Sequence, residues 1–332
     1  MTDSAIEEVV TVAADHSAAR RWHRIRVGVF AAWVVIICAV VVTTGVPTGR
    51  RAIAMMTVSG LAISRLGQGW RRLGQVVVDW LPFTLVLMAY DTTRGVATSI
   101  GLPVHEADVV GWERALFGGH VPTVWLQQHL YDPHHVFWYD ALFTVVYCTH
   151  FAATPIVAAV MWLRDRTAWL FYIARVVLLS VGGLVTYVLF PEAPPWMAAR
   201  DGVIGDPIAR LPARGFVWLD APQLRDTLDH AFRAGGNEVA AMPSLHVGFA
   251  CLIAIFVAGR VRRRWWPVLW LYPALMGVAL VYLGEHYVID LLAGLAYAAA
   301  AHYALSWWER RRAARRADCT AAETRAVSST PA

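Results

Sequence analysis

Two histidines, a carboxylate and a serine stand out in an otherwise apolar chain. In "MPSLHV" (residues 242–247) a proline and a serine precede His246 at the mouth of a long apolar run. Proline is favoured at a helix start because its missing N–H would have no partner there. The first-turn N–H groups point outward and the helix dipole adds partial positive charge, so such a mouth is a ready anion site. Ser244 can donate a hydroxyl hydrogen bond there, and His246 sits in the same turn. The same residues equally suit a capped helix with an interfacial histidine. In "GEHYVIDLLAG" (284–294) His286 and Asp290 are four positions apart and share one helical face. An aspartate beside a histidine can fix its tautomer and support its charged form. Asp290 falls one turn into an apolar helix, where a carboxylate costs about 2.5–3.5 kcal/mol and is by default a functional residue. The other reading is a structural pair that locks two helices.

The elements that must position these residues are membrane helices. The chain has 332 residues, 58% of them hydrophobic and only 16% charged, against about a quarter charged in soluble domains. Mean hydropathy is +0.47. Several apolar runs reach the roughly 17–25 residues that span a bilayer. All 29 basic residues are arginine. They cluster in short connections and tails, the positive-inside pattern, so the basic balance argues against a nucleic-acid partner. Cys38, Cys148 and Cys251 lie within apolar runs and Cys319 in the tail; none has metal-ligand or disulfide-framework spacing.

Spacing predicts a disordered, basic cytoplasmic N-terminus (1–26) and an N-terminal transmembrane hairpin (27–66) made from runs 27–45 and 52–64. A membrane domain (76–308) and a basic, disordered cytoplasmic tail (309–332) follow. Within the domain, spans are expected at 76–90, 136–162, 168–190, 243–259, 266–284 and 287–308. Amphipathic surface pieces occupy 100–135, and a polar loop 191–241. "RDR" (164–166), "GRVRRR" (259–264) and "ERRRAARR" (309–316) then fall on one side, which the positive-inside rule makes cytoplasmic. The loop, Ser244, His246 and His286 fall together on the extracytoplasmic side.

A third motif, "FPEAPPW" (190–196), supplies a stiff proline turn at the membrane surface with Trp196 suited to the interface. In the order "PEAPPW", "MPSLHV", "HYVID", the chain resembles the type 2 phosphatidic acid phosphatase superfamily, in its inositol phosphorylceramide synthase-like branch. "DWLPFTLVLMAYDTTRG" and "YCTHF" add to the likeness, which spans about residues 76–308. The resemblance implies an all-α polytopic membrane helix bundle, with a six-helix phosphatase-like core plus one or two N-terminal transmembrane helices. It also implies phosphate-ester transfer or hydrolysis through a phosphohistidine, without metal or other cofactor. His286 would be the nucleophile, Asp290 its orienting carboxylate and His246 the general acid. Ser244 would hold phosphate oxygens, with Pro194, Trp196, His150 and Arg94 at the substrate. The implied partners are a lipid-linked phosphate and an acceptor such as inositol or a lipid hydroxyl.

The departures are informative. The superfamily's first motif, K-x(6)-R-P, cannot be intact in a chain without lysine, and "PEAPPW" occupies its approximate place. Leu280 stands where the superfamily has an arginine before the second histidine, and Pro-Ser-Leu-His replaces Pro-Ser-Gly-His. Phosphate-neutralising arginines must come from elsewhere: Arg94, Arg175, Arg200, Arg210 or Arg214, with Arg94 preferred. Arg175 lies inside a span, where pairing with Asp79 or snorkelling would also account for it. His150 reads either as a satisfied core histidine or as a headgroup contact. His105, His120, His129, His134 and His135 are expected to decorate the interfacial segment. Loss of the lysine motif favours headgroup transfer over plain lipid phosphate hydrolysis. A transporter using Asp79, His150, Arg175 and Asp290, or a catalytically dead scaffold, is the reading of another class. Neither internal repeats nor paired broken spans support a transporter.

Overall fold

The structure, a computed structural model, describes residues 3–44, 50–93, 96–99, 101–235 and 238–328. Its helices are α1 (Asp3–Thr44), α2 (Arg50–Ser64), α3 (Trp70–Thr93), α4 (Val96–Ser99), α5 (Ala107–Leu116), α6 (Pro122–Leu130), α7 (Trp138–Arg164), α8 (Arg166–Leu189), α9 (Pro195–Arg200), α10 (Pro222–Gly235), α11 (Leu245–Ala258), α12 (Trp266–Tyr282) and α13 (Val288–Ser328). Among the described residues the only β pairing is a pair of isolated bridges, His105 with Glu192 and Glu192 with Ala240. The fold is an all-α polytopic bundle. Six helical segments are long and apolar enough to cross a membrane: Ala18–Val40, Trp70–Tyr90, Trp138–Arg164, Arg166–Leu189, Arg263–Tyr282 and Val288–Cys319. The protein is a multi-pass membrane protein.

Two compact units divide the chain. One comprises Met1–Asp91 with Asp220–Gly236, the other Thr92–Leu219 with Asn237–Ala332. In the first, α1 packs on α2 where the Trp33 indole donates to Ser59 Oγ at 3.0 Å. The second unit holds the three motifs.

Some helices outrun their apolar stretches. α1 includes residues 3–26, and α13 runs past "ERRRAARR" to Ser328. Alanine, arginine and glutamate are strong helix formers, so helix continues where polarity alone suggested none. α11 is shorter than the expected 243–259. Ser244 caps it, its hydroxyl oxygen accepting from Val247 N–H. Its 14 residues rise about 21 Å at 1.5 Å each.

α11 and α13 cross at glycine. A Cβ on Gly294 would lie 2.3 Å from the Ser244 carbonyl oxygen, so only glycine permits this approach, the small-residue packing common between membrane helices. The Ser244 N–H donates to the Asp290 carbonyl at 3.0 Å across the same crossing. Tyr187 at the end of α8 donates its hydroxyl to the Pro243 carbonyl at 2.8 Å. The start of α11 is thereby fixed from two sides.

Candidate active site

His286 follows α12 through Gly284, whose φ of +81° suits a residue without a Cβ. A Cβ there would also meet the Ala209 carbonyl oxygen at 3.0 Å. The turn delivers His286 to a position two residues before α13, 5% exposed, with Asp290 of the first helical turn fully buried behind it; the two meet although His286 does not share the helix expected for both. His286 Nδ1 lies 3.3 Å from Asp290 Oδ2, which also accepts the Tyr287 N–H at 2.9 Å. A carboxylate only accepts, so Nδ1 carries the proton and Nε2 keeps the lone pair. Across the gap stands His246, its ring centroid 5.6 Å from that of His286 at 64°.

His246 is itself held by rings. Tyr147 stacks on it at 4.9 Å and His150 at 3.9 Å, both from α7. His150, open in sequence between core filler and headgroup contact, therefore lies against His246. Ser244 is fully buried; its hydroxyl oxygen serves α11 as the cap, while its proton remains a possible donor.

The "PEAPPW" loop is stitched to its surroundings by its backbone. His105 N–H donates to the Pro191 carbonyl, Glu192 N–H to Val239, Ala193 N–H to His105 and Trp196 N–H to Gly284. Pro194 is buried and caps α9, its carbonyl accepting from Met197 and Ala198. It shapes the loop. Trp196 is half-buried and carries the Arg210 guanidinium 4.6 Å above its ring.

Arg94 lies outside the described residues. The other arginines separate by their partners. Arg175 is bound bidentately by Glu309 at 2.8 Å on each oxygen; this carboxylate, rather than the expected Asp79 or a snorkelled pose, is its partner. Arg200 is exposed and paired with its neighbour Asp201. Arg214 donates to the Asp132 and His135 carbonyls and lies 3.5 Å from buried Asp140, pinning a loop to the start of α7. Arg210 remains. Its Nε donates to Glu285 Oε1 at 2.7 Å, one residue before His286. Clamps fix it on both sides: Gln127 bonds Ala209 through both amide atoms, and the Leu211 N–H donates to the Leu283 carbonyl.

Sequence reasoning missed three further groups. Glu113 of α5 is fully buried and accepts the Val288 and Ile289 N–H groups at 2.9 and 3.2 Å. It caps α13, the helix that carries Asp290. Burial raises its pKa, and the two N–H bonds oppose that rise. Glu192 is likewise fully buried. Burial first, then the neighbouring Asp290 carboxylate, push its pKa well above the ordinary value, which favours its protonated form. Neither Glu192 oxygen nor Asp290 Oδ1 has a hydrogen-bond partner among the described residues; a protonated Glu192 would give Asp290 Oδ1 a donor. His105, expected to be decoration, stacks on Phe190 at 3.8 Å and braces the loop. A carboxylate between apolar residues, as in "VGWERAL" and "FPEAPP", was the available signal for the two glutamates. Among the described residues no three His, Cys, Asp or Glu side chains gather as metal ligands.

A buried His–Asp pair thus faces a second histidine at a capped helix mouth in a multi-pass membrane bundle. The PAP2 superfamily model matches residues 107–304, and the chain belongs to that superfamily; it is a membrane lipid phosphatase or phosphotransferase. It is similar to a phosphoinositol dihydroceramide synthase of Bacteroides thetaiotaomicron, 25% identical over 233 residues that cover 68% of this chain and 74% of the relative. No solved structure matches the chain.

Proposed function

We propose that the chain transfers a phosphorylated headgroup between a lipid and an alcohol at the extracytoplasmic face of the cell membrane, through a phosphohistidine and without metal. The observation that carries this reading is the pairing of His246 and His286 across 5.6 Å with Asp290 behind His286 Nδ1. His286 Nε2 attacks phosphorus, the bond to the leaving oxygen breaks, and His246 protonates that oxygen. Asp290 holds the His286 tautomer and supports its charge. Glu192 keeps Asp290 in place by donating its carboxyl proton to Oδ1. In the second half, His246 takes the proton of the acceptor hydroxyl, whose oxygen attacks phosphorus, and the P–N bond breaks. The α11 N-terminus, Ser244 and Arg210 stabilise the equatorial oxygens; Trp196 and His150 border the substrate.

Transfer rather than hydrolysis is favoured by the similarity to a phosphoinositol dihydroceramide synthase, which makes inositol or a lipid hydroxyl the acceptors to try first. In this reading 76–308 is the catalytic membrane domain and 27–66 an N-terminal hairpin. Residues 1–26 and 309–332 are basic cytoplasmic flanks, a reading that the Arg runs 259–264 and 309–316 support through the positive-inside rule.

The test is headgroup release or exchange by purified protein with phospholipids and polyprenyl phosphates, with a chelator present. Turnover lost in His286→Ala and His246→Ala is expected, with a new phosphodiester formed when inositol is supplied. Free phosphate as the sole product would replace transfer by hydrolysis. Turnover surviving His286→Ala would refute the phosphohistidine.

A further inference from the structure

A second cluster of charge lies at the other end of the same three helices. A cavity of about 300 Å³ opens between α8, α11 and α13, lined by Arg175, Arg260, His302, Ser306, Glu309 and Arg310. Its lining holds three guanidinium groups and one carboxylate, Glu309, which binds Arg175; Asp165 also acts on Arg260 from outside the lining, so the cluster stays net positive. The cavity is separate from the His246–His286 site. Along α13, Asp290 precedes His302 by about 18 Å and Glu309 by about 28 Å, at 1.5 Å per residue.

The cluster is built rather than incidental. Arg175 is 3% exposed, and its Nη atoms are oriented by the Phe171 carbonyl, Ser306 Oγ and both Glu309 oxygens. The Phe256 ring has the Arg260 guanidinium 3.6 Å from its centroid and that of Arg175 at 5.6 Å. Two cations are thus drawn to one ring. Burial, and then Arg175, lower the Arg260 pKa. Buried His302 Nδ1 and Arg175 Nε have no hydrogen-bond partner among the described residues. Glu309 accompanies the buried guanidinium of Arg175, while Arg260 and Arg310 stand exposed at the mouth with donors left for a further anion.

The surroundings set the depth. Trp265, Trp266, Trp307 and Trp308 are all exposed at this end. Each carries an arginine over its ring: Arg264, Arg263, Arg311 and Arg312. Exposed tryptophans with arginines mark the headgroup level of a bilayer. Basic pockets between membrane helices at that level take acidic lipid headgroups.

We infer that this cavity binds the phosphate of an anionic phospholipid headgroup, with Arg260 and Arg310 as its exposed contacts and Arg175 as its buried, preoriented one. The site is not a second reaction centre, since it lacks a histidine paired with a carboxylate as His286 is with Asp290.

Native mass spectrometry of the full chain tests it, using delipidated protein with phosphatidylglycerol, with phosphatidylcholine and with inorganic phosphate. The His286→Ala background stops turnover. Expected is one phosphatidylglycerol retained at least about tenfold more strongly than phosphatidylcholine, with that preference lost in Arg260→Gln and in Arg310→Gln. A tenfold change is the scale of one charge-assisted contact. Both arginines are exposed, so both variants should fold; unchanged thermal unfolding checks this. Equal retention of the two lipids, or retention unaffected in both variants, overturns the inference. Inorganic phosphate bound in place of phosphatidylglycerol assigns a soluble anion and overturns the lipid assignment.

Discussion

Replacing Glu192 with glutamine isolates the buried carboxyl pair behind the nucleophile. Glu192 and Asp290 are both fully buried; burial and Asp290 raise the Glu192 pKa well above its ordinary value, which favours a neutral Glu192 in the fold. A group whose folded pKa is raised contributes fully below its unfolded value, and its contribution falls as pH rises toward the folded value. Within that window the fold binds more protons than the unfolded chain, and the wild type loses about 1.4 kcal/mol per pH unit. Glutamine has the same shape, never ionises and donates to Asp290 Oδ1 through its amide. Near pH 4.5 the two proteins should therefore unfold within about 1 kcal/mol of each other. Two units into the window, Glu192→Gln should be more stable by about 2–3 kcal/mol. For a chain of 332 residues that corresponds to a thermal midpoint about 3–4 °C higher. Scanning fluorimetry in detergent, on the emission of the 16 tryptophans, measures both curves from pH 4.5 to 7. Turnover of Glu192→Gln should stay within about threefold of wild type, whereas Glu192→Ala leaves Asp290 Oδ1 without its donor at about 1–3 kcal/mol. Unfolding curves that remain parallel across the range would refute a protonated Glu192. So would loss of stability in the glutamine variant at neutral pH.

Arg210→Lys should lower turnover about ten- to hundredfold, because an ammonium cannot keep the Glu285 contact and reach phosphate as a planar fork does. Arg200→Lys, exposed and paired with Asp201, should change little in the same steady-state assay, and equal rates for both variants would remove Arg210 from the site. Glu113→Ala strips the acceptor from two N–H groups at the start of α13, at about 1–3 kcal/mol each. Stability in detergent should fall accordingly, Glu113→Gln should recover part of it, and an unchanged unfolding midpoint in the alanine variant would deny the cap.

Much of this protein is legible in one dimension because membrane helices and short motifs are local. Apolar runs of spanning length predict helices, since only internally bonded backbone crosses lipid. The four-residue spacing of His286 and Asp290 suggested a pair without any fold, though α13 begins only at Val288 and His286 reaches Asp290 from the turn before it; Ser244 reads as a cap from its place before an apolar run. Those features determined the fold class and picked out His246, His286 and Asp290 as candidates. Distances across the chain were not available in the same way. Sequence could not say that Gly294 lets Ser244 meet Asp290, or that Glu113, 175 residues before Val288, caps α13. Choosing among the arginines needed the same information. A guanidinium's use depends on which carboxylate reaches it, and only the packing of α8 on α13 gives Arg175 to Glu309. The folded loop likewise sets Arg210 beside Glu285 and over Trp196. Local pattern decides what a residue can do; the tertiary structure decides whom it meets, because burial and partner jointly set the cost of its charge.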